Sequence, residues 1–455
     1  MKISATTRNA YILMHRGAQA LARAERQGIR VDVPYCENKH AHLTRKIELM
    51  TKRVEESPLY ARWRRVYRDC TNIDSNAQLA HVLYKVMGIE PPSLTSSGQG
   101  ATDEAALGRI KGVPELEWIL EIRKLRKLRD TYLEAFMREQ HDGYIHPFFN
   151  LHTVRTYRSS SDRPNFQNIP TRDRDAKRTT RRALLPRPGH QFIEADYSGI
   201  EVAIGACYHK DPVMLKYIKD PHSDMHLDMA RQIFMIPDLE KSFPTLRHAA
   251  KNGFVFPQFY GDYYANNARH LSEWTKLPLK GRYRSGQGVM TPGDVPMADH
   301  LMENGIKGFK DLVDHLEGVE RDFWGRRFAV YEQWKQSWVK DYQRRGYLDM
   351  YTGFRCSGIM KRNEVVNYPI QGSAFHCLLW SFIRLDEIAR AEGWRSAPVC
   401  QIHDSILMDV WPPELEYVKQ VVTRVTTVEL AQAWPWIIVP LTIDIDEYGV
   451  DQPWL

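Results

Sequence analysis

The stretch HQFIEADYSGIE at positions 190–201 decides the fold, because it predicts a buried strand that ends in a carboxylate. An apolar run leads directly to Asp196, and a helical pattern begins at Ile200. A second stretch, PVCQIHDSILMDV at positions 398–410, has apolar residues on both sides of His403 and Asp404. This pattern predicts a hairpin with the polar pair at its tight turn. Two strands would therefore each present an aspartate at one end.

Asp196 and Asp404 are 208 residues apart (404 − 196), yet one sheet can hold them side by side. Two neighbouring carboxylates repel unless a cation lies between them, and an oxygen-only ligand set suits Mg²⁺. A two-metal site can stabilise both the attacking and the leaving oxygen of phosphoryl transfer. Taken singly, each aspartate is better explained as an ordinary turn residue.

A pair of cations lies on a predicted helix between the two strands. Arg247 and Lys251 are four residues apart, which places them on one helical face, where they could grip a triphosphate. Aromatic residues follow at Phe254, Phe256, Phe259 and Tyr260. A ring on that face could stack on a base. A surface Arg–Lys pair beside an aromatic core stripe is the alternative, and without context it is the better explanation.

The chain has 455 residues, 43% hydrophobic and 26% charged, which predicts a multi-domain globular protein. No apolar run approaches the ~18 residues of a membrane span, and the N-terminus lacks a signal-peptide pattern. The six cysteines form no CxxC pair, so reduced thiols are expected. We therefore expect a soluble protein of the cytoplasm, or of the host cytoplasm if the chain is viral, with no membrane partner.

The formal net charge of +7 is concentrated in residues 151–190. That window has three acids and ten basic residues, which are Arg155, Arg158, Arg163, Arg172, Arg174, Lys177, Arg178, Arg181, Arg182 and Arg187. Asn165, Gln167 and Asn168 lie among them, and such mixtures suit phosphate and base-edge contacts. Charge alone leaves a solvated basic face open as the alternative.

The first third of the chain predicts an arm of charged helices. Helical patterns cover residues 9–30, 37–69 and 116–136. A Pro/Gly/Ser-rich loop at 91–102 lies between the second and the third, and Asp103 is expected to cap the helix after it. The arm fits a solvated helical pair as well as a nucleic-acid clamp. Residues 266–308, rich in Gly and Pro, predict an irregular insertion rather than a core element.

The order and wording of these motifs resemble the family A, polymerase-I-like DNA polymerases. DYSGIE at 196–201, RHAAKNGFVFPQFYG at 247–261 and QIHDS at 401–405 are similar to motifs A, B and C of that family. Other similar stretches are ERQGIRVD at 25–32, NIDSNAQL at 72–79, YRSSSDRPNFQNIP at 157–170, SDMH at 223–226 and NYPIQGSA at 367–374. The resemblance extends in the family's order from about residue 15 to residue 412.

The resemblance implies an α+β, right-hand polymerase fold with an antiparallel palm sheet, a helical thumb and helical fingers. The implied division is a palm and thumb base at 1–36, the thumb at 37–140, palm with motif A at 141–205, fingers with motif B at 206–350 and palm with motif C at 351–455. The insertion near 266–308 would belong to the fingers. No 3′–5′ exonuclease unit fits before the thumb-like pattern, so proofreading is expected to be absent or supplied by a separate exonuclease.

The resemblance also implies a role for each matching residue. Asp196, Asp404 and the backbone carbonyl of Tyr197 would bind two Mg²⁺ ions, with Mn²⁺ as a substitute, and Lys251 would be the catalytic proton donor to pyrophosphate. The implied nucleotide-binding residues are Arg247, Lys251, His226, Glu201, Phe256, Tyr260 and Tyr197. Among these, Glu201 is the steric gate against a ribose 2′-hydroxyl, and Tyr260 lies behind the templating base. A His222–His226 metal pair is disfavoured because no third ligand has suitable spacing.

Contacts to the primer-template are implied for Arg158, Asn165, Gln167, Asn168, Asn367, Gln371 and His403. Two departures from the family stand out. Lys251 to Tyr260 takes nine steps where the family has eight, with Gly253 added and Pro257 in place of a glycine, which predicts a bent helix. Ser405 replaces the glutamate that usually follows the motif C aspartate.

The sequence thus predicts a template-directed DNA polymerase that adds dNTPs to a primer 3′ end. Its expected partners are primer-template DNA, dNTPs and a separate exonuclease or processivity subunit. Two alternatives stay open: a single-subunit RNA polymerase, against which Glu201 argues, and a non-catalytic DNA-binding homologue, for which Ser405 and the altered motif B argue.

Overall fold

The computed structural model describes residues 6–95, 97–171 and 173–455, so Arg172 of the basic window lies outside the described residues. A four-stranded antiparallel sheet, here called the central sheet, lies at its centre. In spatial order its strands are Ile443–Glu447, Gln191–Tyr197, Ser405–Val410 and Ala397–Ile402. The predicted Asp196 strand and the predicted hairpin around Asp404 are both confirmed. The edge strand Ile443–Glu447 was not predicted.

Two long helices cover the central sheet. Arg362–Ala391 buries residues all around its circumference and packs against Thr7–Gln27, which also contacts the sheet. The two helices approach closely because Gly17 has no side chain: a Cβ there would lie 2.9 Å from Cδ2 of Leu379. Ile200–His209, which follows the Asp196 strand as predicted, packs on Arg362–Ala391 from another side.

Residues 33–139 form a separate group of helices, here called the N-terminal helical unit. Its helices are Val33–Glu55, Pro58–Tyr67, Asn76–Ala80, Glu104–Leu107, Glu115–Arg126 and Glu134–Glu139, with a 3₁₀ turn at Arg68–Cys70 and π-helical turns at His81–Val86 and Lys127–Leu133. Asp103 accepts a hydrogen bond from the Ala106 N–H at 2.8 Å, which confirms the predicted cap.

One helix prediction in this unit was wrong. The single helix expected over 37–69 is two helices, because Ser57 caps a new helix that begins at Pro58. Proline lacks the N–H that would continue the first helix but is well suited to the first turn of the second.

Three small sheets join the helices to the centre. Ile29–Val31 pairs with Tyr144–Ile145 and Leu184–Leu185, Phe148–Asn150 pairs with Ser160–Asp162, and Tyr347–Asp349 pairs with Arg355–Ser357. Further short elements are the helix Arg174–Arg181, the 3₁₀ turns Phe166–Asn168 and Pro412–Glu414, and the helices Leu415–Thr423 and Leu430–Ala433 joined by a π-helical turn at Arg424–Glu429.

Residues 212–345 form a second group, here called the C-terminal helical unit. Its helices are Pro212–Lys219, Met225–Phe234, Pro244–Ala250, Phe256–Phe259, Tyr264–Thr275, Met297–Glu303, Phe309–Asp322 and Ala329–Arg345, with π-helical turns at Lys251–Val255 and Phe323–Arg327. None of the helices in the described part of the chain is long and apolar enough to cross a membrane.

The predicted irregular insertion at 266–308 was only partly correct. Its first ten residues, 266–275, belong to the helix Tyr264–Thr275, which buries Ala268, Leu271 and Thr275 on one face, and Met297–Glu303 is helical too. The stretch between these two helices and the last five residues, 304–308, lack regular helix or strand. The Gly and Pro residues between the two helices indicate a loop, and they led to a prediction of loop for the flanking helical residues 266–275 and 297–303 as well.

Candidate active site

Asp196 and Asp404 lie side by side at one end of the central sheet. Asp196 is the penultimate residue of its strand and pairs with Ser405, while Asp404 occupies the tight turn of the hairpin. The Tyr197 N–H donates to the Asp404 carbonyl at 3.1 Å, so the two backbones are directly joined. His403, in the same turn, has the left-handed backbone conformation (φ 55°) and an exposed side chain. The sheet therefore brings together two carboxylates that are distant in sequence.

The local electrostatics disfavour two ionised carboxylates at this position. Burial, Asp404 and Glu194 together raise the pKa of Asp196 to about 7, although its side chain still reaches solvent. Burial also raises the pKa of Asp404. Neither carboxylate forms an ion pair with any described Lys, Arg or His. An oxygen-only donor set with excess negative charge fits a hard divalent cation such as Mg²⁺.

The Tyr197 side chain fixes the end of the Asp196 strand. Its ring is buried, its hydroxyl lies 2.9 Å from the Ser381 hydroxyl, and it donates to the Thr426 carbonyl at 3.2 Å. The predicted ligand is the backbone carbonyl of Tyr197, next to Asp196, and this anchoring holds that carbonyl in place.

Two further carboxylates near Asp196 were missed by the sequence analysis. The edge strand Ile443–Glu447 places Asp444 directly opposite Asp196 in the ladder. Asp444 accepts a hydrogen bond from the Ser198 hydroxyl at 2.6 Å. The sequence TIDIDE at 442–447 could have indicated this strand, since it alternates apolar and polar residues as a half-buried strand does.

The other missed carboxylate, Glu194, is buried, and its negative charge is compensated by Arg181. It is held by Arg181 at 2.7 Å, Trp454 at 2.8 Å and Tyr448 at 3.0 Å, and Ser405 donates to it at 3.2 Å. Burial opposes its charge, but Arg181 and these donors hold its pKa below the ordinary value. Ser405 thus contributes a hydroxyl to a buried carboxylate network rather than a carboxylate to the cleft.

Arg158 and Tyr260, two predicted residues from separate segments, both contact the predicted residue Glu201. The Arg158 guanidinium forms an ion pair with the Glu201 carboxylate, and the Tyr260 hydroxyl donates to the same carboxylate at 3.2 Å. Burial and Glu201 raise the pKa of Tyr260 to about 12, so this phenol stays a donor. Arg158 also lies 3.4 Å from the Gln371 carbonyl. Glu201 is therefore held from both sides between the carboxylate end of the sheet and the C-terminal helical unit.

Arg247 and Lys251 lie on one side of a continuous but irregular helix. Pro244–Ala250 runs through the π-helical turn Lys251–Val255 into Phe256–Phe259. The Lys251 ammonium lies 5.0 Å from the Phe256 ring centre, and Arg247 forms a 2.8 Å ion pair with Asp224. The π-helical turn, rather than the predicted bend, accommodates the additional residue.

His226 faces this group of cations. Its ring lies edge-on to Phe256 at 5.6 Å between centres. Burial, together with Lys251 and Arg247, lowers its pKa to about 4, so it is neutral at pH 7. Its buried Nδ1 has no hydrogen-bond partner among the described residues. Among the described residues, neither His222 nor His226 belongs to a group of three side chains spaced to hold a metal ion.

The predicted DNA-contact residues outside the Glu201 cluster and the hairpin turn come from the loop 165–168 and from the long helix Arg362–Ala391. Asn165 and Asn168 are exposed, and the Gln167 amide donates to the Ser159 hydroxyl at 3.2 Å. The Asn168 carbonyl accepts from the Tyr132 hydroxyl at 2.6 Å, which ties this loop to the N-terminal helical unit. Asn367 and Gln371 lie one turn apart on Arg362–Ala391, and Asn367 lines a cavity of about 460 Å³ together with Tyr260.

The chain is similar to known proteins in sequence and in fold. The sequence profile of DNA polymerase family A matches residues 40–281, which is more than half of the chain. The thermostable DNA polymerase I of Thermus filiformis is 27% identical over 96% of this chain and 47% of its own length. The DNA polymerase I of Aquifex aeolicus is 28% identical over 89% of this chain and 61% of its own length. The chain thus spans about half the length of the curated relatives it matches.

A solved structure shares the fold. It is the POL domain of Pol1 from M. smegmatis, in complex with DNA primer-template and dNTP. The TM-score is 0.74 at 24% sequence identity, over 96% of this chain and 70% of that chain. The similarity confirms the right-hand, mixed helix and sheet architecture predicted from the motifs.

Proposed function

The chain belongs to DNA polymerase family A, and from that membership we propose that it extends a primer 3′ end with dNTPs as directed by a DNA template. The observation that carries the proposal is the junction of Asp196 and Asp404 at one end of the central sheet. The Arg158–Glu201–Tyr260 cluster lies near Asp404, and the helix that carries Arg247 and Lys251 leads to Tyr260. A polymerase needs these three parts: carboxylates at the reacting phosphate, cations at the triphosphate and a check on the sugar.

We propose that the predicted division into domains applies to this fold. The N-terminal helical unit corresponds to the thumb at 37–140, and the C-terminal helical unit corresponds to the fingers at 206–350. The central sheet and its covering helices correspond to the palm, from 141–205 and 351–455 with the base at 1–36.

Asp196, Asp404 and the Tyr197 carbonyl would hold two Mg²⁺ ions, with Mn²⁺ as a substitute. When bound, the ions would supply the positive charge that the attacking primer oxygen and the leaving pyrophosphate require. Cation binding needs both carboxylates ionised, and the raised pKa of Asp196 makes its ionisation dependent on pH near neutrality.

The triphosphate would be bound by Arg247, Lys251 and His226. Arg247 forms an ion pair with Asp224, so we expect its guanidinium to bind that carboxylate and a phosphate at the same time. Lys251 would donate a proton to the leaving pyrophosphate. His226 is neutral at pH 7, and its buried Nδ1 has no hydrogen-bond partner among the described residues, which suits a hydrogen bond to a phosphate oxygen.

Sugar and template would be read next to these phosphates. Phe256 would stack on the sugar, and Glu201, held by Arg158 and Tyr260, would exclude a 2′-hydroxyl. The predicted DNA-contact residues would contact the primer-template backbone and the minor groove. Those residues are Arg158, Asn165, Gln167, Asn168, Asn367, Gln371 and His403. Such contacts ignore sequence and weaken with salt.

A primer-extension assay tests the proposal. Asp196→Asn and Asp404→Asn should each abolish dNTP incorporation in Mg²⁺ while leaving duplex binding largely intact, because each removes a charged ligand and keeps the side-chain shape. Asp69→Asn, an exposed aspartate of the N-terminal helical unit, is the matched control. Substantial synthesis by either active-site variant would refute the site, and NTP incorporation in place of dNTP incorporation would favour an RNA polymerase.

The same assay follows the 3′ end of the primer. We propose that residues 1–455 carry no 3′–5′ exonuclease and that editing or processivity comes from a separate polypeptide. Shortening of the labelled primer by the purified chain would contradict this proposal.

A further inference from the structure

A cavity of about 990 Å³ lies between the two helical units. On the N-terminal side it is bounded by the loop at residues 90–92. Pro91, Pro92 and Arg109 line one side. The other side is built by Arg269 and by two segments, 279–282 and 307–311. None of the residues proposed above to bind metal, nucleotide or duplex lines it. It is therefore a separate feature of the molecule, here called the junction cavity.

The junction cavity is strongly positive. Six cationic and two anionic side chains line it, an excess of four positive charges. Five of the cations are exposed and form no ion pair with any described residue: Arg269, Lys280, Arg282, Lys307 and Lys310. Of the two acids, Asp311 already accepts the Lys307 backbone N–H at 2.8 Å. Such uncompensated charge in a concave site attracts a polyanion.

The backbone beneath these cations is fixed. The Tyr283 N–H donates to the Lys307 carbonyl at 3.0 Å, and the Phe309 N–H donates to the Gly281 carbonyl at 3.2 Å. The two segments approach so closely that a Cβ on Gly308 would lie 2.5 Å from the Gly281 carbonyl oxygen. Lys280, Arg282, Lys307 and Lys310 are thus presented together by a paired backbone, although they come from two segments.

Apolar surface lies between the cations. The half-buried Phe309 ring, Leu279 and the two prolines line the same cavity. Cations beside apolar and aromatic surface are typical of single-stranded nucleic-acid sites. In such sites the cations bind the phosphates, and the bases stack on the aromatic rings. A cavity of this volume matches small-ligand sites and so holds a few nucleotides rather than a duplex.

We propose that the junction cavity binds single-stranded nucleic acid. Arg269 lies on the helix Tyr264–Thr275, which begins four residues after Tyr260 (264 − 260), so this helix leads from the segment that carries the Tyr260 ring to the cavity. In so far as the proposed function holds, the strand bound there is the unpaired template on its way to Tyr260. The proposal deepens that function by naming where the template is held before it is copied.

Anisotropy with a labelled oligothymidine tests the binding without any need for catalysis. The fourfold variant Lys280→Ala/Arg282→Ala/Lys307→Ala/Lys310→Ala should bind at least tenfold more weakly than the unmodified chain. Its slope of log affinity against log salt should be shallower by up to ~3, because four phosphate contacts are lost. The matched control is Arg8→Ala/Arg26→Ala/Arg321→Ala/Lys340→Ala, four exposed cations without ion pairs among the described residues and outside the cavity. If both variants bind alike and with the same slope, the proposal is overturned.

Extension on two primer-templates connects the cavity to synthesis. On a template with a long single-stranded overhang, the cavity variant should show a raised KM for the DNA, whereas with a one-nucleotide overhang it should equal the control. An equal loss on both substrates would refute the template path. Absence of synthesis by the unmodified chain would refute the proposed function instead, and the oligothymidine result would stand independently of it.

Discussion

At the residue scale, Asp196 is the group most affected by its surroundings. It lies opposite Asp444 and Ser405 and next to Asp404, with Glu194 two residues earlier on the same strand face. The sequence predicted the pair of aspartates, because each follows an apolar strand pattern. It did not predict Asp444, because that neighbour comes from a strand 248 positions later (444 − 196) and only long-range pairing brings it near.

This crowding predicts how stability depends on pH in the absence of divalent cations. The pKa of Asp196 is about 7 in the folded chain and near 3.8 when unfolded, so between these values the folded state binds the extra proton. Stability should therefore fall as pH rises from about 4 through about 7. Thermal melts of Asp196→Asn should match the unmodified chain at the acidic end and exceed it above pH 7. A variant that is less stable than the unmodified chain at both ends would contradict the raised pKa.

Glu201 gives a second prediction at this scale. Glu201→Ala removes the carboxylate that Arg158 and Tyr260 hold, so discrimination against NTPs should fall by roughly 100-fold. Tyr260→Phe keeps the ring but loses the 3.2 Å hydrogen bond, and should relax discrimination by less. Single-nucleotide incorporation with dNTP and NTP gives the ratio. Unchanged selectivity in Glu201→Ala would remove the gate role.

At the element scale, the helix that carries Arg247 and Lys251 shows how one extra residue is absorbed. The Phe256 N–H bonds to the Lys251 carbonyl five residues earlier, so the π-helical turn lets residues five apart share a face. The sequence indicated that the spacing was unusual and predicted a bend. It could not predict a π-helical turn, because the packing of this segment against the helix Tyr264–Thr275 is a long-range contact that carries no local signal; a Cβ on Gly253 would lie 2.9 Å from Cδ2 of Leu271.

Two length variants test this helix. Deleting Gly253 should leave a regular helix in which Lys251 and Phe256 still share a face, so nucleotide incorporation should stay within about tenfold of the unmodified chain. Inserting a second glycine after Gly253 should rotate Phe256 by ~100° relative to Lys251 and abolish incorporation. Single-turnover incorporation measures both variants. If the insertion is tolerated as well as the deletion, the shared face of Lys251 and Phe256 is not needed.

At the scale of the whole molecule, the two helical units touch each other directly. The Arg109 guanidinium lies 2.5 Å from the Glu273 carboxylate, a contact between residues 164 positions apart, with both side chains partly exposed. Neither partner stood out in the sequence, since an exposed arginine and glutamate carry no pattern and only the fold makes them neighbours. The contact lies beside the junction cavity, which Arg109 also lines.

This bridge predicts a kinetic effect without a loss of stability. An exposed ion pair contributes about 0–1 kcal/mol, so Glu273→Arg should leave the Tm almost unchanged. We expect the Arg109–Glu273 ion pair to hold the two helical units together around bound DNA. Glu273→Arg replaces this attraction with repulsion of Arg109 and should raise the dissociation rate of a primer-template several-fold at low salt. The effect should shrink as salt screens it. The exchange Arg109→Glu/Glu273→Arg restores attraction and should restore slow dissociation in a stopped-flow competition assay. Dissociation that stays fast in the exchanged pair would show that the single substitution acted through something other than this bridge.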